Sequence, residues 1–264
     1  MKKIAVVTGA SSGMGRETAM LLADRFGGKL DEIWVIARRK EKLEAFIGQA
    51  PVKFRVFPMD ITDRIELEKL KMALEEERPG VVFLVNAAGF GKIGKVGEIP
   101  LADETGMVQL NCQALCAVTS IVLPYLRKGS RVIQYASSAA FLPQPEFAVY
   151  AATKAFVLSY SQALNMELRD KGICVTAVCP GPVDTEFFAV AETTGHLPAY
   201  KRLAMAKPEK VVRLALRDSL MGKTVSVYGL TMKALFVLSQ VVPRSWLLAV
   251  WEKLKEMADD GVEG

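Results

Sequence analysis

The sequence predicts an α/β fold: a single doubly wound parallel sheet with a C-terminal helical extension. Three observations predict it. Short β-branched runs alternate with longer amphipathic stretches along most of the chain. Several of these runs are apolar throughout, as strands covered on both faces must be. The runs end in glycine, asparagine, serine or acidic residues, and strand ends are where open α/β sheets bind ligands.

Residues 3–8 (KIAVVT) read as the first strand, and residues 15–26 (GRETAMLLADRF) carry helical apolar spacing. Residues 32–37 (EIWVIA) form the next strand, ahead of the helical stretch KEKLEAFI. A third strand over 52–60 leads into RIELEKLKMALEEE, a helix that Thr62 or Asp63 can cap. Residues 81–89 (VVFLVNAAG) are almost wholly apolar, as expected of a central strand. A helix over about 103–126, a strand over 131–138, a long helix over 150–171 and a buried strand over 173–181 follow. A helix over about 209–220 and a short strand, TVSVYG, come after Pro208. No linker or repeat interrupts this order, so residues 1–264 are expected to form one domain.

Half of the residues are hydrophobic, enough for a large core, and the net charge of +5 is spread among acids. A nucleic-acid binder would gather its cations into a stripe, so no nucleic-acid partner is expected. Cys112, Cys116, Cys174 and Cys179 form no CxxC pair, and no histidine lies near enough to complete a metal site. No metal is expected, and reduced, mostly buried thiols suit a cytoplasmic protein. The N-terminal apolar stretch ends within five residues, too short for a signal sequence. The most apolar segment, residues 234–251, carries Pro243-Arg244 at its centre and is not expected to span a membrane.

Chemistry gathers at five strand ends. The first runs into TGASSGMG, where Gly9, Gly13 and Gly15 permit a tight turn and close approach of a diphosphate, beside Ser11, Ser12 and Met14. Alone, such a turn is equally explained as structure. Asp60 and Ile61 end the third strand, where Asp60 could also cap a helix, and Asn86 opens NAAG at the end of the fourth. Asn111 lies inside a helix. The fifth strand ends in ASSAA, followed by YAATK, and the sixth ends in PGPVDT. Tyr150 and Lys154, four residues apart on a helix, share one face.

Taken together in this order, the motifs resemble those of the short-chain dehydrogenase/reductase family over roughly residues 3 to 190. The resemblance implies a Rossmann-type domain that binds NADP or NAD and moves a hydride between nicotinamide and a carbonyl or secondary alcohol. It implies cofactor contacts at the glycine motif, at Asp60 and Ile61 beside the adenine, and at Asn86, Ala88 and Gly89 near the nicotinamide ribose. Pro180, Gly181, Val183 and Thr185 are expected around the carboxamide. It assigns acid–base work to Tyr150, ribose binding and phenol tuning to Lys154, and a water-holding helix kink to Asn111. A lysine ammonium and an oxidised nicotinamide would lower the phenol's pKa.

The serine that polarises the substrate is a choice between Ser137, thirteen residues before Tyr150, and Ser138, twelve before. Position within the strand and the tolerance of loops for deletions favour Ser138. Cofactor choice is read at the second strand's end. NAD-using members of the family place an Asp where Ala37 stands, and Arg38 follows where NADP-using members carry a base. Arg39 and Arg16 add positive charge, although all three could simply be solvated.

Residues 186–206 are expected to form a substrate lid, with Phe187, Phe188, Leu197 and Tyr200 making it apolar. A hydrophobic substrate, steroid-like or ketoacyl-like, would suit it. His196 is expected to be a loop residue. Residues 231–258 form the extension, read as two helices meeting at Pro243. Packing, homodimer or homotetramer contacts, or a peripheral membrane contact through Trp246 and Trp251 would each explain it. The alternative to an enzyme is a non-catalytic NADP-binding sensor or scaffold, but all four catalytic positions are filled.

Overall fold

The computed structural model describes residues 1–191, 205–243 and 245–246. Seven parallel strands form one sheet in the order β3-β2-β1-β4-β5-β6-β7. They are β1 (Lys3–Thr8), β2 (Glu32–Ala37), β3 (Lys53–Pro58), β4 (Gly80–Asn86), β5 (Leu126–Tyr135), β6 (Cys174–Cys179) and β7 (Val225–Val227). The chain builds outward from β1 to β3, then returns to build outward on the other side from β4. Strands β1 and β4 therefore flank the crevice where such sheets take ligands.

The two-residue alternation of each strand sorts its side chains onto two faces. Ala5, Val7, Ile33, Val35, Phe83 and Val85 pack on one side against α1 (Gly13–Phe26) and α8 (Pro208–Leu220). Ile4, Val6, Trp34, Ile36 and Leu84 pack on the other against α3 (Arg64–Glu77), α5 (Leu115–Val122) and α6 (Ala148–Glu167). Both faces are buried, so the strand sequences show little polar alternation.

The stretch read as one helix over 103–126 is composite. It comprises α4 (Leu101–Val108), a π-helical turn (Gln109–Ala114), α5 and a short 3-10 turn ending at Tyr125. Its length and mean hydropathy of 1.5 would suffice to cross a bilayer. Here Met107, Ala114, Leu115, Val118 and Val122 are buried in the protein core. The second helix, α2 (Lys40–Glu44), is shorter than the apolar pattern suggests. Cys179 is buried, whereas Cys112, Cys116 and Cys174 are half-buried, and none forms a disulfide.

The short α7 (Phe187–Ala191) begins the expected lid. Leu197, Tyr200 and His196 lie outside the described residues, as do Arg244 and Trp251. In the extension, α9 (Leu230–Val241) ends two residues before Pro243. Met232, Leu235 and Phe236 pack inward from it, while Leu230, Val237, Leu238 and Val241 are exposed.

Of the two candidate caps for α3, Asp63 fills the position, its Oδ1 accepting from the Ile65 N–H at 2.8 Å. Replacing Asp63 with Ala should cost about 1 kcal/mol of stability. Urea unfolding would read this as a lower midpoint with an unchanged slope.

Candidate active site

The β1–α1 loop is held down by contacts that only glycine permits. A Cβ on Gly15 would lie 2.3 Å from the Gly9 carbonyl oxygen, and one on Gly9 would lie 2.6 Å from the Ala88 nitrogen. Gly9 also takes φ +66°, a left-handed conformation that costs glycine little. Thr8 Oγ1 accepts from the Ala87 N–H at 3.2 Å, tying this loop to the end of β4. The first helical turn of α1 thus faces the β1/β4 crevice, where its free N–H groups favour an anion.

A groove of about 630 Å³ runs along these strand ends. Gly9, Ser11, Ser12, Gly13, Met14 and Gly15 line it, as do Arg38, Arg39, Asp60, Ile61, Ala88, Gly89 and Thr185. Asn86, Pro180, Gly181 and Val183 stand at strand ends outside the lining of this groove. Asn86 Nδ2 donates to Thr119 Oγ1 and Gln134 Oε1, both at 3.0 Å, inside the sheet. The Pro180 carbonyl accepts from Ser138 N–H at 2.8 Å, Gly181 lies against Met232, and Val183 pairs with Ala206. Asp60 spends Oδ1 on the Thr62 N–H and hydroxyl, while Oδ2 lies 3.9 Å from Arg38.

Behind Gly89 and Phe187 of this lining, α6 places Tyr150 and Lys154, both buried and neither lining the groove itself. The Lys154 ammonium donates to the Tyr135 carbonyl at 2.8 Å and sits 5.6 Å from the Tyr150 ring centroid. Burial pulls Lys154 down to about 8. Burial pushes Tyr150 up to about 12, opposed by a hydrogen bond with the Ser137 hydroxyl. The expected lowering of the phenol, by an ammonium and an oxidised nicotinamide together, is not seen in the protein by itself, where desolvation dominates.

Of the two candidate serines, Ser137 is the one that acts on the Tyr150 hydroxyl here. Ser137 caps the following 3-10 turn, accepting from Ala139 N–H at 3.1 Å, whereas Ser138 is already inside that turn. The spacing of thirteen residues is therefore kept, and no deletion has to be absorbed.

Asn111 sits in the π-helical turn, the kind of irregularity that recurs at functional sites. Its side chain clamps the loop after β4: Oδ1 accepts from Phe90 N–H at 3.1 Å, and Nδ2 donates to the Phe90 carbonyl at 2.9 Å. Nδ2 also donates to Thr153 Oγ1 at 3.0 Å, and Thr153 donates to the Tyr150 carbonyl at 2.8 Å. A Cβ on Gly89 would come within 2.9 Å of Asn111 Oδ1 and 3.3 Å of Lys154 Nζ.

A model of the short chain dehydrogenase family matches residues 3–194. The chain belongs to the short-chain dehydrogenase family. An uncharacterised oxidoreductase of Staphylococcus aureus is 30% identical over 88% of this chain and 96% of its own. A short-chain dehydrogenase from Sphingobium yanoikuyae, solved with NADPH, superposes with a TM-score of 0.75 at 26% identity, covering 98% and 96% of the two chains. A 3-ketoacyl-(acyl-carrier-protein) reductase from Brucella melitensis, solved with NADH, gives 0.72 at 25% identity over 85% and 95%. This short-chain dehydrogenase is an NAD(P)-dependent oxidoreductase with a nicotinamide cofactor.

Phe187, expected in the apolar lid, lies 5.3 Å from the Tyr150 ring. Other neighbours of the site were not singled out from sequence: Phe147 stacks on Tyr150 at 4.3 Å between centroids. Thr153 lies within YAATK, and the buried Tyr135 hydroxyl pairs with Thr18 Oγ1 at 2.8 Å. Helical spacing could have flagged Phe147, three residues before Tyr150; no local signal marks Thr18.

Truncating Asn111 to Ala strands the Phe90 N–H and carbonyl and removes the Thr153 partner. At about 1 kcal/mol per hydrogen bond, the loss should be about 2–3 kcal/mol in urea unfolding.

Proposed function

We propose that the protein is an NADP(H)-preferring enzyme for hydrophobic ketones and their secondary alcohols, with Tyr150 as the acid–base group. The observation that carries this reading is a buried phenol one helical turn from buried Lys154, stacked on Phe147 and walled by Phe187.

The residues suit a nicotinamide dinucleotide. An ammonium has three donors, and among the described residues Lys154 uses one, on Tyr135. Ribose hydroxyls are acceptors that fit the others, beside the side-chain-free Gly89. When bound, the nicotinamide supplies or receives the hydride. In reduction, Tyr150 gives its proton to the carbonyl oxygen as charge develops there, and Ser137 donates a hydrogen bond to the same oxygen. A phenol at about 12 is protonated near neutrality, which suits that direction. In oxidation Tyr150 must first lose its proton, and the nearby Lys154 ammonium favours the phenolate. Asn111, as a clamp on Phe90 and Thr153, acts by positioning.

The aromatic wall supports an apolar substrate, in keeping with the ketoacyl substrate named for the Brucella relative. The preference for NADP(H) rests on Ala37 and Arg38. No carboxylate stands at position 37 to repel a 2′-phosphate, and Arg38 projects into solvent at 76% side-chain exposure. A guanidinium can hold a phosphate with paired hydrogen bonds.

Tyr150→Phe should lower kcat by about a hundredfold or more, while cofactor affinity in a direct titration stays nearly unchanged. Ser137→Ala should cost about a hundredfold in kcat, and Ser138→Ala far less; the opposite ranking would return the role to Ser138.

Fluorescence titration should show NADP+ bound about tenfold more tightly than NAD+, the low end for a charge-assisted hydrogen bond given the exposure. Arg38→Ala should remove most of that difference. Equal affinities in the unmodified protein would overturn the NADP assignment and leave the Tyr150 chemistry standing.

A further inference from the structure

Glu186 follows PGPVDT directly and precedes the aromatic wall residue Phe187. Its carboxylate bridges two cations from the segment after β2. Oε2 accepts from Arg39 Nη1 at 2.8 Å, and Oε1 accepts from the Lys42 ammonium. The same guanidinium reaches the glycine loop, Nη2 donating to Ser12 Oγ at 2.8 Å and Ser11 Oγ at 3.0 Å. Ser11, Ser12, Lys42 and Glu186 line a cleft of about 430 Å³ beside the main groove. Two cations and two hydroxyls gathered beside Arg38 make an anion site, and the chain fills it with its own carboxylate. Pairing with Lys42 and Arg39 pulls Glu186 down to about 2, so it is charged throughout the working range of pH.

We infer that Glu186 stands in for the 2′-phosphate of NADP(H) and is a determinant of cofactor choice, because phosphate and carboxylate compete for Arg39. The inference rests on the reading of Arg38 and Arg39 as partners of that phosphate. Arg39 and Lys42 carry two positive charges, which Glu186 reduces to one. A phosphate monoester brings about −1.5 to −2. Counting Arg39, Lys42 and Glu186 alone, the phosphate leaves about −0.5 to −1 with Glu186 in place and about 0 to +0.5 with Glu186 displaced, and Arg38 adds the same charge to both states. A cofactor with a 2′-hydroxyl provokes no such exchange. Glu186 therefore tempers the preference for NADP(H) and leaves the affinity for NAD(H) almost untouched.

Adenosine 2′,5′-bisphosphate and 5′-AMP differ only in the 2′-phosphate, so equilibrium titration with both isolates the exchange. Glu186→Gln should bind the bisphosphate about fivefold more tightly, the upper scale of an exposed ion pair, and 5′-AMP within about twofold of the parent. Lys42→Ala added to Glu186→Gln should return part of that gain. An unchanged or weaker affinity of Glu186→Gln for the bisphosphate overturns the inference, as does an equal gain for both probes. The two readings fail separately. If the parent binds both probes alike and Glu186→Gln still gains for the bisphosphate alone, the NADP(H) preference falls and the inference stands. If the parent favours the bisphosphate and Glu186→Gln gains nothing, the inference falls and the preference stands.

Discussion

A buried ammonium is costly, and the arrangement at the ends of β4 and β5 is organised around one. Lys154 is 6% exposed and bonded to the Tyr135 carbonyl. That bond fixes α6 against β5, and with it the height of Tyr150 above the strand ends. The β4 loop passes beside it without a side chain at Gly89, where a Cβ would meet Asn111 Oδ1 at 2.9 Å and Lys154 Nζ at 3.3 Å. The Asn111 clamp holds the same loop from within the π-helical turn that joins α4 and α5. A lysine, a glycine and an asparagine from three elements thus meet at one loop.

The sheet was legible because both of its faces are buried: apolar runs such as VVFLV leave little room for another reading. The strand-end motifs were legible for the same reason, since polar residues and glycines stand out against such runs. What sequence could not supply was partnership across elements. Asn111 reads as a mid-helix polar residue until Phe90 and Thr153 are brought to it from two other elements. The π-helical turn has no local signature of its own. Which serine meets Tyr150 was not legible, because counting along a strand ignores where the strand stops: β5 ends at Tyr135, and Ser137 caps the next turn. The upward pull on the Tyr150 phenol was not legible either, because burial is a property of the whole fold.

The two ends of the site obey different electrostatics. At Lys154 and Tyr150 desolvation dominates, and both groups are displaced toward their neutral forms. At Arg38, Arg39, Lys42 and Glu186 the groups are solvated, so hydrogen-bond geometry and ion pairing decide. Salt will therefore weaken the outer end far more than the inner one.

Gly91 carries a consequence for how this site can change. A Cβ there would lie 2.7 Å from Tyr150, 3.0 Å from Phe187 and 3.1 Å from Phe147. The closest of the three contacts is with Tyr150, so a side chain at position 91 overpacks the site even where one phenylalanine yields, at about 1–3 kcal/mol. Residue 91 and the three rings can therefore change only together, and no single substitution in the aromatic wall opens the loop to a side chain.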